Sequence, residues 1–178
     1  MSSNRPPENS PPQSGGKTPL ILRPMAEADR DAVGLVGWES WQSTGPLDRV
    51  MTNPAIAQKV KAAFLRFPFA PALQIAVADV DGVVAGWGAR ETSVDEISDI
   101  WIAPRWQRRG IGRALVQHLC DTMRGEGVKQ ARISTHQNNF AAQALYKSCG
   151  FQFLWQGMER DSIMGLEIPK VRLRRLLY

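Results

Sequence analysis

The stretch Gln107-Arg108-Arg109-Gly110-Ile111-Gly112-Arg113 decides how the rest of this 178-residue chain is interpreted. Before it, residues 97–103 are rich in Ile and Trp and end at Pro104, a pattern that predicts a β-strand. After it, apolar residues recur every three or four positions, at Leu115, Val116, Leu119 and Met123. That spacing predicts an amphipathic helix, so the two glycines lie where a strand turns into a helix.

The glycine turn has the chemistry of an anion site. The first backbone N–H groups of a helix have no intrahelical partner, and the helix dipole is positive at that end. Glycine lets the backbone approach a ligand closely, and Arg108, Arg109 and Arg113 add positive charge. A P-loop is excluded because no Lys-Ser or Lys-Thr follows Gly112, and the third glycine of a dinucleotide fingerprint is missing. The turn therefore predicts a pyrophosphate cradle.

Composition sets the broad class of the protein. The chain is 43% hydrophobic and 22% charged, which is typical of one globular domain. Its longest apolar runs fall short of the ~18 residues of a membrane span, so no membrane association is expected. The net charge of +5 suits an anionic cofactor or a nucleic acid. Nucleic acid is the minor interpretation, because the sequence has no RNA-binding aromatic signature.

Three segments are predicted along the chain. Residues 1–18 are rich in Pro, Ser, Asn and Gly and predict a disordered tail. Residues 19–169 form the predicted domain, and residues 170–178 form a basic C-terminal extension. Apolar residues alternate with basic ones in that extension, which allows docking on the domain or, in a homodimer, on a second subunit. Cys120 and Cys149 are too few for a disulfide framework or a zinc site, and a cytoplasmic location is expected.

The predicted element order is that of a mixed α/β domain. Its sheet has six to seven strands and is flanked by about four helices. The strands are predicted at 19–23, 73–80, 83–90, 97–103, 131–135, 151–155 and 163–168, and the helices at 26–41, 53–67, after Gly112 and from Asn138 or Asn139 through Tyr146. Gly34 and Gly37 argue against continuity of the first helix.

These motifs together resemble the GNAT superfamily of acetyl-CoA-dependent N-acetyltransferases. The resemblance spans about residues 20–168, and its spacing is similar to that of the bacterial ribosomal-protein alanine acetyltransferases. It is carried by Ile-Trp-Ile-Ala-Pro at 100–104, the glycine turn at 107–114, and Asn138-Asn139 followed by Ala-Leu-Tyr-Lys-Ser-Cys-Gly-Phe at 144–151. It implies a single GNAT-type domain that moves an acetyl group to a primary amine by direct attack in a ternary complex, without a metal.

The resemblance also implies roles for particular residues. Backbone groups of Ile100, Trp101 and Ile102 would pair with the pantetheine arm as an added strand. Asn139 would hydrogen-bond the cofactor, and Tyr146 would protonate the departing thiolate. A phenol pKa of ~10 and a thiol pKa of ~8.5 are close enough for that transfer. The pyrophosphate would be held by backbone N–H groups of the turn, at Arg108, Arg109, Gly110, Ile111, Gly112 and Arg113.

The general base is predicted to be Glu96, where histone-type members of the superfamily carry theirs. Strand alternation puts Glu96 on one face with Ser98 and Ile100, and Asp99 on the opposite face unless a bulge intervenes. The alanine-acetyltransferase type carries a glutamate at the position of Ser134, and serine cannot act as that base. His136 is an alternative that would relay a proton through water.

The acceptor stays open at this level. Trp38 and Trp41 border the acceptor region in the superfamily and are either core residues or an aromatic wall for an amine. A peptide N-terminus, a lysine, a polyamine and an antibiotic are all compatible acceptors. Two other functions remain: a non-catalytic acyl-CoA-binding regulatory module, and a nucleic-acid-associated protein that uses the basic C-terminal end.

Overall fold

The computed structural model describes residues 19–44, 53–71, 73–91 and 93–178, so the predicted tail at 1–18 lies outside it. Within these residues four α-helices form: α1 (Arg30–Gln42), α2 (Pro54–Arg66), α3 (Ile111–Gly125) and α4 (Phe140–Ser148). The strands are β1 (Leu20–Pro24), β2 (Gln74–Val80), β3 (Val83–Arg90), β4 (Glu96–Ile97), β5 (Asp99–Ile102), β6 (Gln130–His136), β7 (Gln152–Asp161) and β8 (Leu166–Leu176). The predicted α/β class is confirmed. No helix of this described part is long and apolar enough to cross a bilayer.

The strands form two sheets of four, in the orders β1-β2-β3-β5 and β4-β6-β8-β7. The β4–β6 pair is parallel, and the other pairs are antiparallel. The sheet system is therefore mixed, as predicted, with eight strands in the described residues rather than six or seven.

One predicted strand, residues 97–103, is divided between the two sheets. The backbone N–H of Ser98 donates to the carbonyl of Ala89 at 2.9 Å, and Asp99 is also paired with Ala89. Two residues opposite one are a β-bulge, which bends the strand and re-aims its side chains. From this point β4 follows β6 while β5 follows β3, so the two sheets diverge. In the described structure β5 pairs with β3 alone, and its other edge faces the gap between the sheets.

Helix α3 fills the core between the diverging sheets. Its apolar stripe is almost fully buried, with Leu115, Val116 and Met123 at 0% exposure. The stripe packs in one cluster with Ile133 of β6 and Leu173 of β8. Burial of that stripe fixes the helix, and therefore fixes the glycine turn at its start between the two sheets.

The C-terminal residues belong to the second sheet. Strand β8 lies between β6 and β7, so the domain boundary predicted at 169/170 falls inside a strand. Val171, Leu173 and Leu177 are buried. Arg172 donates to Glu159, and Arg175 donates to Gln117 at 2.9 Å. The basic residues of this segment therefore belong to a strand that is paired on both sides.

Gly34 and Gly37 do not interrupt α1, because they are where α2 and the first sheet pack closely against it. We expect Gly37→Ala to destabilise the protein by about 1–2 kcal/mol. Alanine raises helix propensity by ~1 kcal/mol, but its Cβ would lie 2.5 Å from the Phe64 ring and 3.0 Å from the fully buried Trp87 ring. Urea unfolding at constant m-value measures the change.

The control for this substitution is Gly125→Ala at the end of α3, where an added Cβ meets nothing within 4 Å. That variant should be neutral or slightly more stable than the wild-type protein. A Gly37→Ala protein that unfolds at a higher urea concentration than wild type would show that α1 and α2 can separate without cost.

Candidate active site

Two cavities meet in the gap between the sheets. The larger has a volume of about 720 Å³ and runs from the outer edge of β5 past the start of α3 to α4. Its walls include nearly all the residues predicted to hold a cofactor: Ile100, Trp101, Ile102, Arg108, Gly110, Ile111, Gly112, Arg113 and Asn139.

The start of α3 presents unpaired backbone donors to the larger cavity. Gly110 is the N-cap at a φ of +85°, and it makes no side-chain capping bond. The first N–H group bonded within the helix is that of Ala114, which donates to the Gly110 carbonyl at 3.1 Å. The N–H groups of Ile111, Gly112 and Arg113 therefore precede the helical hydrogen-bond ladder. An anion placed here meets these donors and the positive end of the helix dipole.

The three arginines of the turn differ in what their side chains do. The Arg109 guanidinium lies 4.8 Å from the centre of the Trp106 ring, and Arg109 is not part of the cavity wall. The Arg113 guanidinium donates to the carbonyl and hydroxyl oxygens of Ser148 at 3.1 and 3.0 Å, which ties α3 to the end of α4. Arg108 lines the cavity at a φ of +62°. The donors that the turn offers to an anion are therefore chiefly backbone N–H groups.

The outer edge of β5 supplies backbone groups along the larger cavity. An edge strand presents N–H and C=O groups that can pair with an extended ligand. One acceptor of this edge is already occupied, because the Gln107 side-chain amide donates to the Ile102 carbonyl at 3.1 Å. The edge groups nearer Ile100 are next to the second cavity.

The smaller cavity has a volume of about 320 Å³ and continues from the larger one. It lies between β5 and β6, under α1, α2 and the turn from β7 to β8. Six residues line both cavities and so mark their junction: Thr44, Ile100, Trp101, Asn139, Ala142 and Tyr146. A group carried along the larger cavity can therefore meet a molecule held in the smaller one at this junction.

Tyr146 of α4 is at the junction, with 5% of its surface exposed. Burial raises its pKa above the usual phenol value, and the nearby Asp99 carboxylate acts in the same direction. The phenol therefore stays protonated and can serve as a donor across the neutral range. Asn139 is the N-cap of the same helix, and its side-chain carbonyl accepts from the Ala142 N–H at 3.1 Å.

Asp99 and Glu91 are the acidic groups beside the junction, and the bulge at Ser98 puts Asp99 there. The Trp101 indole N–H donates to the Asp99 carboxylate at 2.8 Å and fixes its orientation. Burial is the main cause that raises the pKa of Asp99, and it also raises the pKa of Glu91, with a further contribution from Asp99. A carboxylate with a raised pKa beside a protonated phenol is a pairing suited to acid–base chemistry.

Residues 38–151 match the family model described as the acetyltransferase (GNAT) family. The chain belongs to the GNAT family. Among curated relatives of this GNAT domain, the [ribosomal protein bS18]-alanine N-acetyltransferase of Escherichia coli is 37% identical over 73 residues. That match covers 40% of this chain and 49% of the relative, so the chain spans about half the length of the curated relatives it matches.

Solved GNAT structures share the fold over nearly the whole chain. A GCN5-related N-acetyltransferase from Rhodopseudomonas palustris superposes with a TM-score of 0.73 at 16% identity, covering 92% of this chain and 99% of that one. The Salmonella typhimurium protein yncA, solved with its cofactor acetyl-CoA, has a TM-score of 0.64 at 19% identity, covering 90% of this chain and 95% of its own. At these identities the likeness establishes the fold.

Within this GNAT domain the residues predicted as base lie in different places. Glu96 is half-buried in β4, where it pairs with Arg132 of β6, and it lines neither cavity. Ser134 and His136 line the smaller cavity. Burial lowers the pKa of His136, and its Nδ1 accepts from the Asn138 N–H at 3.1 Å. Asp99, which sequence alternation set aside unless a bulge intervened, lines the smaller cavity, and the strand is bulged at Ser98.

The two tryptophans of α1 have distinct environments in the GNAT domain. Trp41 lines the smaller cavity and is 4% exposed, so it is both a core residue and a cavity wall. Trp38 stacks on Trp41 with ring centres 5.4 Å apart, and the Lys61 ammonium lies 6.0 Å from the Trp38 ring centre. Trp38 therefore packs against Trp41 without lining the cavity itself.

Proposed function

We propose that this protein transfers the acetyl group of acetyl-CoA to a primary amine. The observation that carries this proposal is the junction of two cavities at Tyr146, with a raised-pKa carboxylate beside it. One cavity suits a long, anionic, strand-like coenzyme, and the other suits a compact acceptor. The GNAT family match and the fold shared with yncA, which was solved with acetyl-CoA, support the same assignment.

The larger cavity fits the parts of acetyl-CoA in order. Backbone N–H groups at the start of α3 would hold the pyrophosphate. The outer edge of β5 would pair with the amides of the pantetheine arm, as in strand addition. The thioester then reaches the junction, where the amide N–H₂ of Asn139 is available because its carbonyl caps α4. A backbone N–H of β5 would polarise the thioester carbonyl.

Asp99 is the proposed general base, in place of Glu96. It would accept a proton from the acceptor ammonium, directly or through one water, so that the amine nitrogen can attack the thioester carbon. The attack forms a C–N bond and a tetrahedral oxyanion. Collapse of that oxyanion breaks the C–S bond, and Tyr146 would donate its proton to the sulfur. The nitrogen gives up its second proton, which returns the Tyr146 phenolate to the phenol, and the proton on Asp99 returns to solvent. The products are therefore an N-acetyl amine, coenzyme A and one proton.

Burial makes Tyr146 a weaker acid than a free phenol. The departing thiolate enters the same desolvated junction, where the loss of solvent also raises its basicity. The pKa values of the phenol and of the departing thiol therefore shift in the same direction, and the proton can pass between them inside the site without bulk water.

Thiol release from acetyl-CoA with a panel of amines tests the proposal. We expect release that depends on the amine and saturates with it. The panel includes a peptide with an N-terminal alanine, since a curated relative is named for acetylating an alanine of a ribosomal protein. If acetyl-CoA binds but no amine promotes thiol release, the protein is a non-catalytic acyl-CoA-binding module and the proposal fails.

Replacing Gly112 by aspartate should weaken acetyl-CoA binding by about 5–30-fold. The new carboxylate would oppose the anion at the helix N-terminus, and one charge there is worth about 1–2 kcal/mol. The Cβ itself would lie 3.0 Å from the Leu145 side chain. Titration calorimetry measures the affinity, and Gly112→Ala is the control that adds the Cβ without the charge. An unchanged affinity in folded Gly112→Asp would place the pyrophosphate elsewhere.

A further inference from the structure

We infer that the acceptor in the smaller cavity carries its primary amine on a compact apolar group, either aromatic or branched. This inference rests on the proposed function and adds the substrate class. It is drawn from the way polar and apolar groups are separated along the cavity.

One end of the smaller cavity is polar and anionic. Asp99 is near enough to Tyr146 to raise the pKa of the phenol, and Glu91 is next to Asp99. Within the described residues, no lysine, arginine or histidine forms a salt bridge with either carboxylate. Lys170 of the same cavity is close enough to lower the pKa of Asp99, but its salt bridge is with Glu159 at 3.2 Å. This end therefore suits a single ammonium group, brought to the thioester junction.

The far end of the cavity is apolar and comes from four elements. Trp41 of α1, Val60 of α2, Met164 of the β7–β8 turn and Ile168 of β8 form one cluster, each with 8% or less of its surface exposed. Phe64 packs edge-on against Trp101 at 5.1 Å, and both line the cavity. Because Trp101 also donates to Asp99, one indole links the anionic end to the apolar wall.

The remaining acid of the cavity, Asp161, serves the turn that closes it. One of its carboxylate oxygens accepts the N–H groups of Ile163 and Met164 at 3.0 and 2.8 Å. It holds Met164 against Trp41 and Val60 in the apolar cluster. Among the described residues, the carboxylate nearest the apolar end is thus engaged by the backbone of the turn, which disfavours a second ammonium there and favours a hydrocarbon group.

The volume limits the size of that group. About 320 Å³ is at the lower end of the roughly 300–1,000 Å³ typical of small-molecule sites. The space suits one aromatic or branched side chain with its amine. A free arylalkylamine and the N-terminal residue of a peptide offer the same chemistry, and the experiment distinguishes them.

The test compares kcat/KM for amines that share the reacting group: 2-phenylethylamine, isoamylamine, ethanolamine, putrescine and spermidine. Small differences in apolar contact change kcat/KM by about 10–200-fold. We therefore expect kcat/KM for 2-phenylethylamine to exceed that for ethanolamine by at least about tenfold. Two short peptides, with N-terminal Phe or Ser, form the second arm. Use of the Phe peptide identifies a peptide N-terminus as the source, and its rejection identifies a free amine.

A substitution in the smaller cavity tests whether its apolar end causes the preference for apolar amines. Ile163 lines the cavity and is 48% exposed, so Ile163→Glu is compatible with folding and adds a charge to the apolar end. It should raise KM for 2-phenylethylamine about tenfold or more and leave KM for acetyl-CoA unchanged. Ile21→Glu, at a 53% exposed position of β1 outside both cavities, is the matched control.

Two results would overturn the inference while the proposed function stands: putrescine, spermidine or ethanolamine as good a substrate as 2-phenylethylamine, or an Ile163→Glu enzyme with unchanged KM for the aromatic amine. Absence of thiol release with every amine would instead overturn the proposed function itself, and the substrate class with it.

Discussion

Replacing Asp99 by asparagine is expected to lower kcat by about 10²–10⁴-fold, the usual loss when a positioned proton-transfer group is removed. Asparagine keeps the size of the side chain and an oxygen for the Trp101 indole N–H, while it removes basicity. Burial raises the pKa of Asp99, so the wild-type rate should fall as the pH drops through a value above that of an ordinary carboxylate. Steady-state thiol release across pH measures both effects.

The rising limb of the pH profile identifies the base. The titratable groups that face Asp99 are Glu91, Tyr146 and Lys170. The limb should vanish in Asp99→Asn and survive in Glu96→Gln, because Glu96 lines neither cavity. Loss of the limb in Glu96→Gln instead would restore the base predicted from sequence. A limb that survives in both of these variants and vanishes in His136→Gln would assign the role to His136.

Replacing Tyr146 by phenylalanine is expected to lower kcat by about 10²–10⁴-fold and to leave the affinity for acetyl-CoA within about threefold. The change removes the hydroxyl but keeps the ring that packs with Phe151 at 6.3 Å, so the fold and the cavity wall persist. Without the phenolic proton, sulfur must leave as a thiolate into a desolvated junction. Steady-state kinetics and calorimetry separate the two quantities.

Tyr178 offers a matched control for this change, since it is the other tyrosine of the chain and is 94% exposed. Tyr178→Phe should behave as wild type. An unchanged kcat in Tyr146→Phe with a good acceptor would mean that water or another group protonates the sulfur. Parallel losses of kcat and of acetyl-CoA affinity would mean that Tyr146 binds the coenzyme rather than donates a proton.

Local sequence chemistry was enough to predict the elements that depend on near neighbours. Asp81 and Gly82 both adopt positive φ between the predicted strands 73–80 and 83–90, as an Asp-Gly pair favours in a hairpin turn. Asn53 begins the helix predicted at 53–67 and caps α2, because its side chain accepts from the N–H groups of Ala55 and Ile56. The glycine turn opens α3 at its predicted place because its apolar stripe and its left-handed Gly110 are both encoded within a few residues.

Elements that depend on distant partners were predicted less well. The basic C-terminal residues form a strand because β6 and β7 pair with it on both sides. The charge pattern of residues 170–178 does not reveal these distant partners. Helix α1 is continuous through Gly34 and Gly37 because α2 approaches closely enough to need them.

The sequence by itself determined the glycine turn at the start of α3 and the place of Tyr146 on α4, because each depends on chemistry carried within one short segment. Tertiary structure alone decided which carboxylate reaches the junction. Alternation along a strand favours Glu96, but the strand is bulged at Ser98, where it passes from the second sheet to the first, and it is Asp99 that lines the cavity with Tyr146. The bulge lies where one strand pairs first with β6 and then with β3, and this pairing depends on residues distant in the sequence.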